Sequence, residues 1–211
     1  MSVDPIITVF SLIVLLFSVV IHELAHGSVA YSLGDPTAKY QGRLTLNPIK
    51  HLDPFGSVIL PLLLLIVTGG QGPIFGWAKP VPVNPHNFRD QKWGSLKVAL
   101  AGPLSNLSLA LLFGLLIRFI PLSFFNLMPG TLLIFSFIVQ INIILALFNL
   151  LPIPPLDGHW ILFYFLPESF YNMKAFLQQY GVFILILIIF FGGLGGLYSL
   201  VESVFGLITG L

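Results

Sequence analysis

The chain of 211 residues contains no cysteine, so neither a disulfide nor a thiolate ligand contributes to its structure. Charge is scarce as well. Lys, Arg, Asp and Glu make up 8% of the residues, against roughly 25% in an average soluble domain. Residues 1–20 hold no Lys or Arg, and no small-residue cleavage site follows them, so the first apolar run lacks the marks of a cleavable signal peptide. The net charge is +1, and neither a basic cluster nor a reader motif points to nucleic acid, so no nucleic-acid partner is expected. What remains is apolar: 56% of the residues are hydrophobic and the mean hydropathy is +0.98. These values describe an integral, multi-pass membrane protein with the lipid bilayer as its surroundings.

The apolar residues fall into runs. The first, 6–33, follows Asp4-Pro5, a good helix start, and stops at Gly34-Asp35-Pro36. Runs at 95–120, 131–151, 176–191 and 194–210 follow, the last two separated by a glycine-rich break. A shorter run at 55–68 contains Pro61 and is too short for a straight crossing, which needs about 20 residues. The expected fold is an all-α polytopic membrane protein with about five transmembrane helices and a short re-entrant or partial helix. Small extended edge strands are expected at 40–46 and 76–83, the second confined to an edge by its prolines. One membrane-embedded domain covers 1–211, with a core over about 6–160 and apolar helices at 176–210.

Seven of the nine basic residues lie between positions 39 and 97. If the 55–68 run dips and returns, all seven share one side, read as the cytosol by the positive-inside tendency. The first helix then runs inward. Trp77, Trp93 and Trp160 serve as interface anchors on that same side.

Inside the first apolar run stands Val20-Ile21-His22-Glu23-Leu24-Ala25-His26-Gly27. On a helix, His22 and His26 project from one face, a spacing suited to two nitrogen ligands on one zinc. Glu23 lies beside them, placed to take a proton from a water at the metal. Ionisable groups at such a depth are costly and call for a function. A catalytic zinc keeps three protein ligands, and Asp157 is the best third candidate. The return of the 131–151 helix brings it to the level of the histidines, and Pro-Pro-Leu-Asp-Gly breaks the helix there.

The two motifs together, His-Glu-Leu-Ala-His and Asn-Leu-Leu-Pro-Ile-Pro-Pro-Leu-Asp-Gly, resemble the site-2 protease family of intramembrane zinc metalloproteases. The stretches Gly-Arg-Leu-Thr-Leu-Asn-Pro, Trp-Ala-Lys-Pro-Val-Pro-Val-Asn and Ala-Gly-Pro-Leu-Ser-Asn are similar to its bacterial and archaeal members. The resemblance implies one Zn2+ per chain on His22, His26 and Asp157, with Glu23 as general base. It also implies that Asn149 steadies the substrate or the developing oxyanion. The implied reaction is hydrolysis of a peptide bond in or near the transmembrane segment of a single-span membrane protein. The implied location is a prokaryotic cell membrane, with the site toward the cytosol. Two readings from other classes stand beside it: a divalent-metal transporter and a catalytically silent membrane scaffold. Asn106, Gln140 and Asn142 read as helix-packing groups. His51 and His86 read as surface residues and His159 as an interfacial one.

Overall fold

The computed structural model describes residues 5–68, 77–128 and 130–211. Helix α1 (Pro5–Ser32) is followed by a single turn, α2 (Thr37–Tyr40). A wide helical turn, Pro54–Ile59, leads into α3 (Leu60–Thr68). Helices α4 (Gly94–Phe119), α5 (Leu122–Leu127), α6 (Thr131–Asn149), α7 (Gly158–Phe165), α8 (Tyr171–Phe190) and α9 (Gly195–Thr209) complete the order.

Among the described residues, four segments are long and apolar enough to cross a membrane: Val9–Ser32, Gly94–Phe119, Thr131–Asn149 and Glu168–Phe190. The expected fifth is α9, which has 15 residues. At about 1.5 Å per residue it spans roughly 22 Å, short of the bilayer core. It packs instead across α4 and α6, burying Val201 and Ile208 in a cluster with Ala110, Ile117, Val139 and Ile143. Helix α4 is central: it packs along both α1 and α6, which also touch each other.

The expected edge strands are not there: the described residues contain no β-strand. In the 40–46 stretch, Tyr40 closes α2 and Gly42 turns the chain at φ +63°. In the 76–83 stretch, Gly76 lies outside the described residues, and the rest is extended without a ladder. Side chains take the place of a ladder. Arg43 Nη2 donates to the carbonyls of Lys79 (2.6 Å) and Pro80 (3.0 Å), and the Val81 N–H donates to Glu23 Oε2 (2.8 Å). Pro80, Pro82 and Pro85 have no N–H to offer a neighbouring strand.

The strap over 77–89, which turns through a short 3-10 helix at Pro85–Asn87, is fastened at several points to the end of α1. Asp35, fully buried, is the hub. Its carboxylate accepts from the Asn84 N–H at 2.7 Å, Asn87 Nδ2 at 2.8 Å, and the backbone and hydroxyl of Thr37. Burial works against its charge, but these hydrogen bonds outweigh burial and hold its carboxyl below the usual carboxylate range. The Arg89 N–H closes the strap onto Leu33 O at 2.8 Å. Trp77 returns to the start of the 55–68 run, where its N–H donates to Gly56 O (3.2 Å) and its carbonyl accepts from Ser57 Oγ (2.7 Å). The chain between Ser57 and Trp77 therefore begins and ends at one place.

Candidate metal centre

Ser18, His22 and His26 recur every four residues, so they form one stripe along α1. Val98, Gly102 and Asn106 form a matching stripe along α4. The two stripes face each other. His22 Nδ1 lies 2.6 Å from Asn106 Oδ1, and His26 Nδ1 lies 2.7 Å from Val98 O. Between them Gly102 leaves room, since a Cβ there would sit 2.4 Å from both His22 Nε2 and His26 Nε2.

Asp157 arrives from the third helix of the trio. Helix α6 ends at Asn149, and residues 150–157 fold back before α7 starts at Gly158. The fold-back is tight: a Cβ on Gly158 would meet Leu150 O at 2.2 Å and Leu151 O at 2.4 Å. Only glycine fits there, which accounts for its place directly after the aspartate. Asp157 Oδ2 then lies 3.0 Å from His22 Nε2 and 3.2 Å from His26 Nε2, while the two Nε2 atoms are 3.0 Å apart. The three side chains are the described group of His and acidic residues able to share one ion.

The chemistry of these atoms fits a metal cation. Val98 O is a backbone carbonyl and only accepts, so His26 Nδ1 carries a proton and donates. A neutral His26 then presents a bare lone pair at Nε2. His22 is arranged the same way, with Nδ1 toward a carbonyl oxygen. With both imidazoles neutral, two lone pairs and a carboxylate oxygen converge, an arrangement that can take a cation among them. Their separations approach the edge of about 3.4 Å expected of a tetrahedron built on metal bonds of about 2.0–2.1 Å. The space Gly102 leaves open lies on the same two nitrogens.

The histidines and Asp157 line a cavity of about 410 Å³, together with Glu23, Asn149 and Trp160. His22 and His26 are buried and the Asp157 side chain is nearly so, at 19% exposure. Glu23 is partly exposed in the cavity, with Oε2 held by the Val81 N–H. Asn149 Nδ2 donates to Leu145 O at 2.9 Å, one helical turn back. The strap forms the opposite wall through Pro80, Val81, Val83 and Pro85.

Other sequence expectations come out differently. His51 is buried, not at the surface, and its Nε2 donates to Thr45 O at 2.9 Å beneath the strap. Its carbonyl accepts from the Lys79 N–H. His86 is exposed. His159 is buried, with Nδ1 donating to Leu156 O at 2.6 Å, which holds the turn that carries Asp157. Asn106 and Asn142, read as packing groups, are both fully buried beside the candidate metal centre. A spacing of four between His22 and Ser18, and between Gly102 and Asn106, was the available signal, but pairing the two stripes needs the fold.

Comparison with known proteins agrees with this chemistry. The sequence profile described as Peptidase family M50 matches residues 126–191, the stretch that holds Asn149 and Asp157. Three relatives carry the name "Putative zinc metalloprotease", distinguished as YwhC, Rip2 and MJ0611. YwhC of Bacillus subtilis is 44% identical over 192 residues, covering 88% of this chain and 82% of the relative. Rip2 of Mycolicibacterium smegmatis is 32% identical, covering 82% of this chain and 64% of the relative. MJ0611 of Methanocaldococcus jannaschii is 35% identical, covering 73% and 69%. No solved structure matches the chain. With 44% identity across 82% of one relative, and with the profile match over residues 126–191, this integral membrane protein belongs to peptidase family M50.

Proposed function

We propose that the chain is an intramembrane zinc metalloprotease that hydrolyses a peptide bond in or near the transmembrane segment of a single-span membrane protein. The observation that carries this reading is the convergence of His22, His26 and Asp157 in one cavity with Glu23 and Asn149. The natural divalent ion for two imidazoles and one carboxylate that leave a position open is zinc. Bound there, zinc supplies a Lewis acid that polarises the scissile carbonyl and acidifies a water.

The residues of the chain do the rest. His22, His26 and Asp157 hold the metal. Glu23 takes the proton of the attacking water at Oε1 while Val81 steadies Oε2. Oxygen adds to the carbonyl carbon, the C–N bond breaks, and the Glu23 proton passes to the departing amine nitrogen. Asn149 Nδ2, now on Leu145 O, turns into the cavity to donate to the substrate carbonyl. The strap and Trp160 limit the water that reaches the site, and Val81 and Val83 present apolar surface to an unwound segment. The clustering of seven basic residues at 39–97, a range that includes the strap residues lining the cavity, supports a cytosolic opening.

A reconstituted preparation tests the reading. The protein, loaded with zinc in vesicles, is given a panel of labelled single-span segments, and products are mapped by mass spectrometry. Cleavage within or beside the span, lost with Glu23→Gln and with chelation, is the expected result. Zinc-dependent uptake of the ion into vesicles without cleavage of any segment would instead point to a transporter.

A further inference from the structure

Behind His22 runs a chain of buried hydrogen bonds that links three helices. His22 Nδ1 meets Asn106 Oδ1 at 2.6 Å. Asn106 Nδ2 donates to Asn142 Oδ1 at 2.8 Å and to Ser18 O at 3.3 Å. Asn142 Nδ2 donates to Ile138 O at 2.8 Å and to Ser18 Oγ at 3.0 Å. Asn106 and Asn142 are fully buried, and Ser18 is nearly so.

The direction of this chain is fixed by its two backbone ends. Ser18 O and Ile138 O are carbonyls and only accept, so each amide must turn its nitrogen toward its own carbonyl. Asn142 therefore presents its oxygen to Asn106, and Asn106 presents its oxygen to His22. A carbonyl oxygen 2.6 Å from Nδ1 requires a proton there. The lone pair of neutral His22 is then at Nε2, on the side of Asp157 and His26. An amide free to flip would instead offer N–H to Nδ1, which would move the proton to Nε2 and block it as a ligand.

We infer that Asn106, braced by Asn142, is a positioning residue that sets the tautomer of His22 and so readies the site for a metal ion before it binds. Asn106 touches neither metal nor substrate; it acts through His22. Such outer partners orient a ligating imidazole and raise its basicity, and their loss costs about 10- to 100-fold in metal affinity. The inference rests on the metal-binding reading given above. The polar cost of the brace supports it. Buried amides inside a membrane bundle are expensive unless fully paired, and Asn106 and Asn142 use both donors and acceptors on this one chain.

The test is made on purified protein in detergent at fixed pH. Zinc affinity is measured by chelator competition for the wild type, Asn106→Leu and Asn106→Asp, and 15N spectra of labelled histidine are recorded on the metal-free wild type. The expected result is a His22 carrying its proton on Nδ1 in the wild type. Zinc affinity should fall about 10- to 100-fold in Asn106→Leu and be better retained in Asn106→Asp, which keeps an acceptor toward Nδ1. A metal-free wild type with the His22 proton on Nε2 overturns the inference, even if a variant fails to fold. So does Asn106→Leu with wild-type affinity, or Asn106→Asp as weak as Asn106→Leu. A wild type that binds no zinc at all is a distinct outcome: it overturns the metal reading itself.

Discussion

Behind the paired histidines stand α4 and α6, whose Asn106 and Asn142 are fully enclosed; in front lies the 77–89 strap, held by a few side chains. The rear wall is made of facing helical stripes, and it is built from small or amide residues: Val98 O, Gly102, Asn106 and Asn142. The front wall is an extended segment with prolines, tied down by Asp35, Arg43 and Glu23. Rigid helices suit the groups that fix ligand geometry within fractions of an ångström. A strap held by hydrogen bonds suits a wall that can open, since local opening needs few contacts to break.

Substitutions at the two walls should have unlike effects, and the largest is expected at the rear. Gly102→Ala places a methyl 2.4 Å from both His22 Nε2 and His26 Nε2, so metal occupancy, read by elemental analysis, should fall to background. A variant with normal occupancy would show that the rear wall yields as easily as the front. Between the walls, Glu23→Gln should keep its metal and lose about 10²- to 10⁴-fold in the rate of cleavage of a mapped substrate.

At the front, Asp35→Ala removes several hydrogen bonds from buried partners and should cost about 1–3 kcal/mol in thermal or denaturant stability. Metal affinity should stay at the wild-type level, because no contact of Asp35 reaches the ligands; a parallel loss of metal would erase the distinction between the walls. The same residue gives a pH dependence. Its folded carboxyl is held low, so its contribution is complete above the ordinary carboxylate pKa of about 3.9 and is lost as pH falls through the lowered folded value. The stability gap between wild type and Asp35→Asn should therefore be full at pH 7 and shrink below about pH 4. The smallest effect is expected away from both walls. Val182 and Leu187 on α8 are 52% and 55% exposed. Truncating either to Ala should change stability by no more than about 0.5 kcal/mol and leave metal binding alone.

Much of this site is local in origin and so was legible in the sequence. The spacing of His22, Glu23 and His26 places two imidazoles on one helical face whatever surrounds the helix, because 3.6 residues make a turn. The break at Pro152–Gly158 likewise needs only the chemistry of proline and glycine to predict an interrupted helix. The membrane class followed from composition. Length was a poorer guide: the 194–210 run looked like a fifth crossing, but only its 15 helical residues and its packing across α4 and α6 show that it is short and partly enclosed. The strands at 40–46 and 76–83 were inferred from extended character alone. Strand pairing is a relation between two segments, and here the prolines and the side chains of Arg43, Glu23 and Asp35 take up the backbone groups a ladder would use.

The sequence by itself thus determined the membrane setting, the paired histidines with their neighbouring carboxylate, and the identity of the third acid. Tertiary structure alone decided which atoms meet: Asp157 beside both Nε2 atoms, Gly102 opposite them, and Asn106 and Asn142 behind His22. The physical reason is that helical periodicity is a property of neighbours along the chain. The direction of the buried Asn106 amide is set by partners 36 to 88 residues away, and only packing brings them within reach.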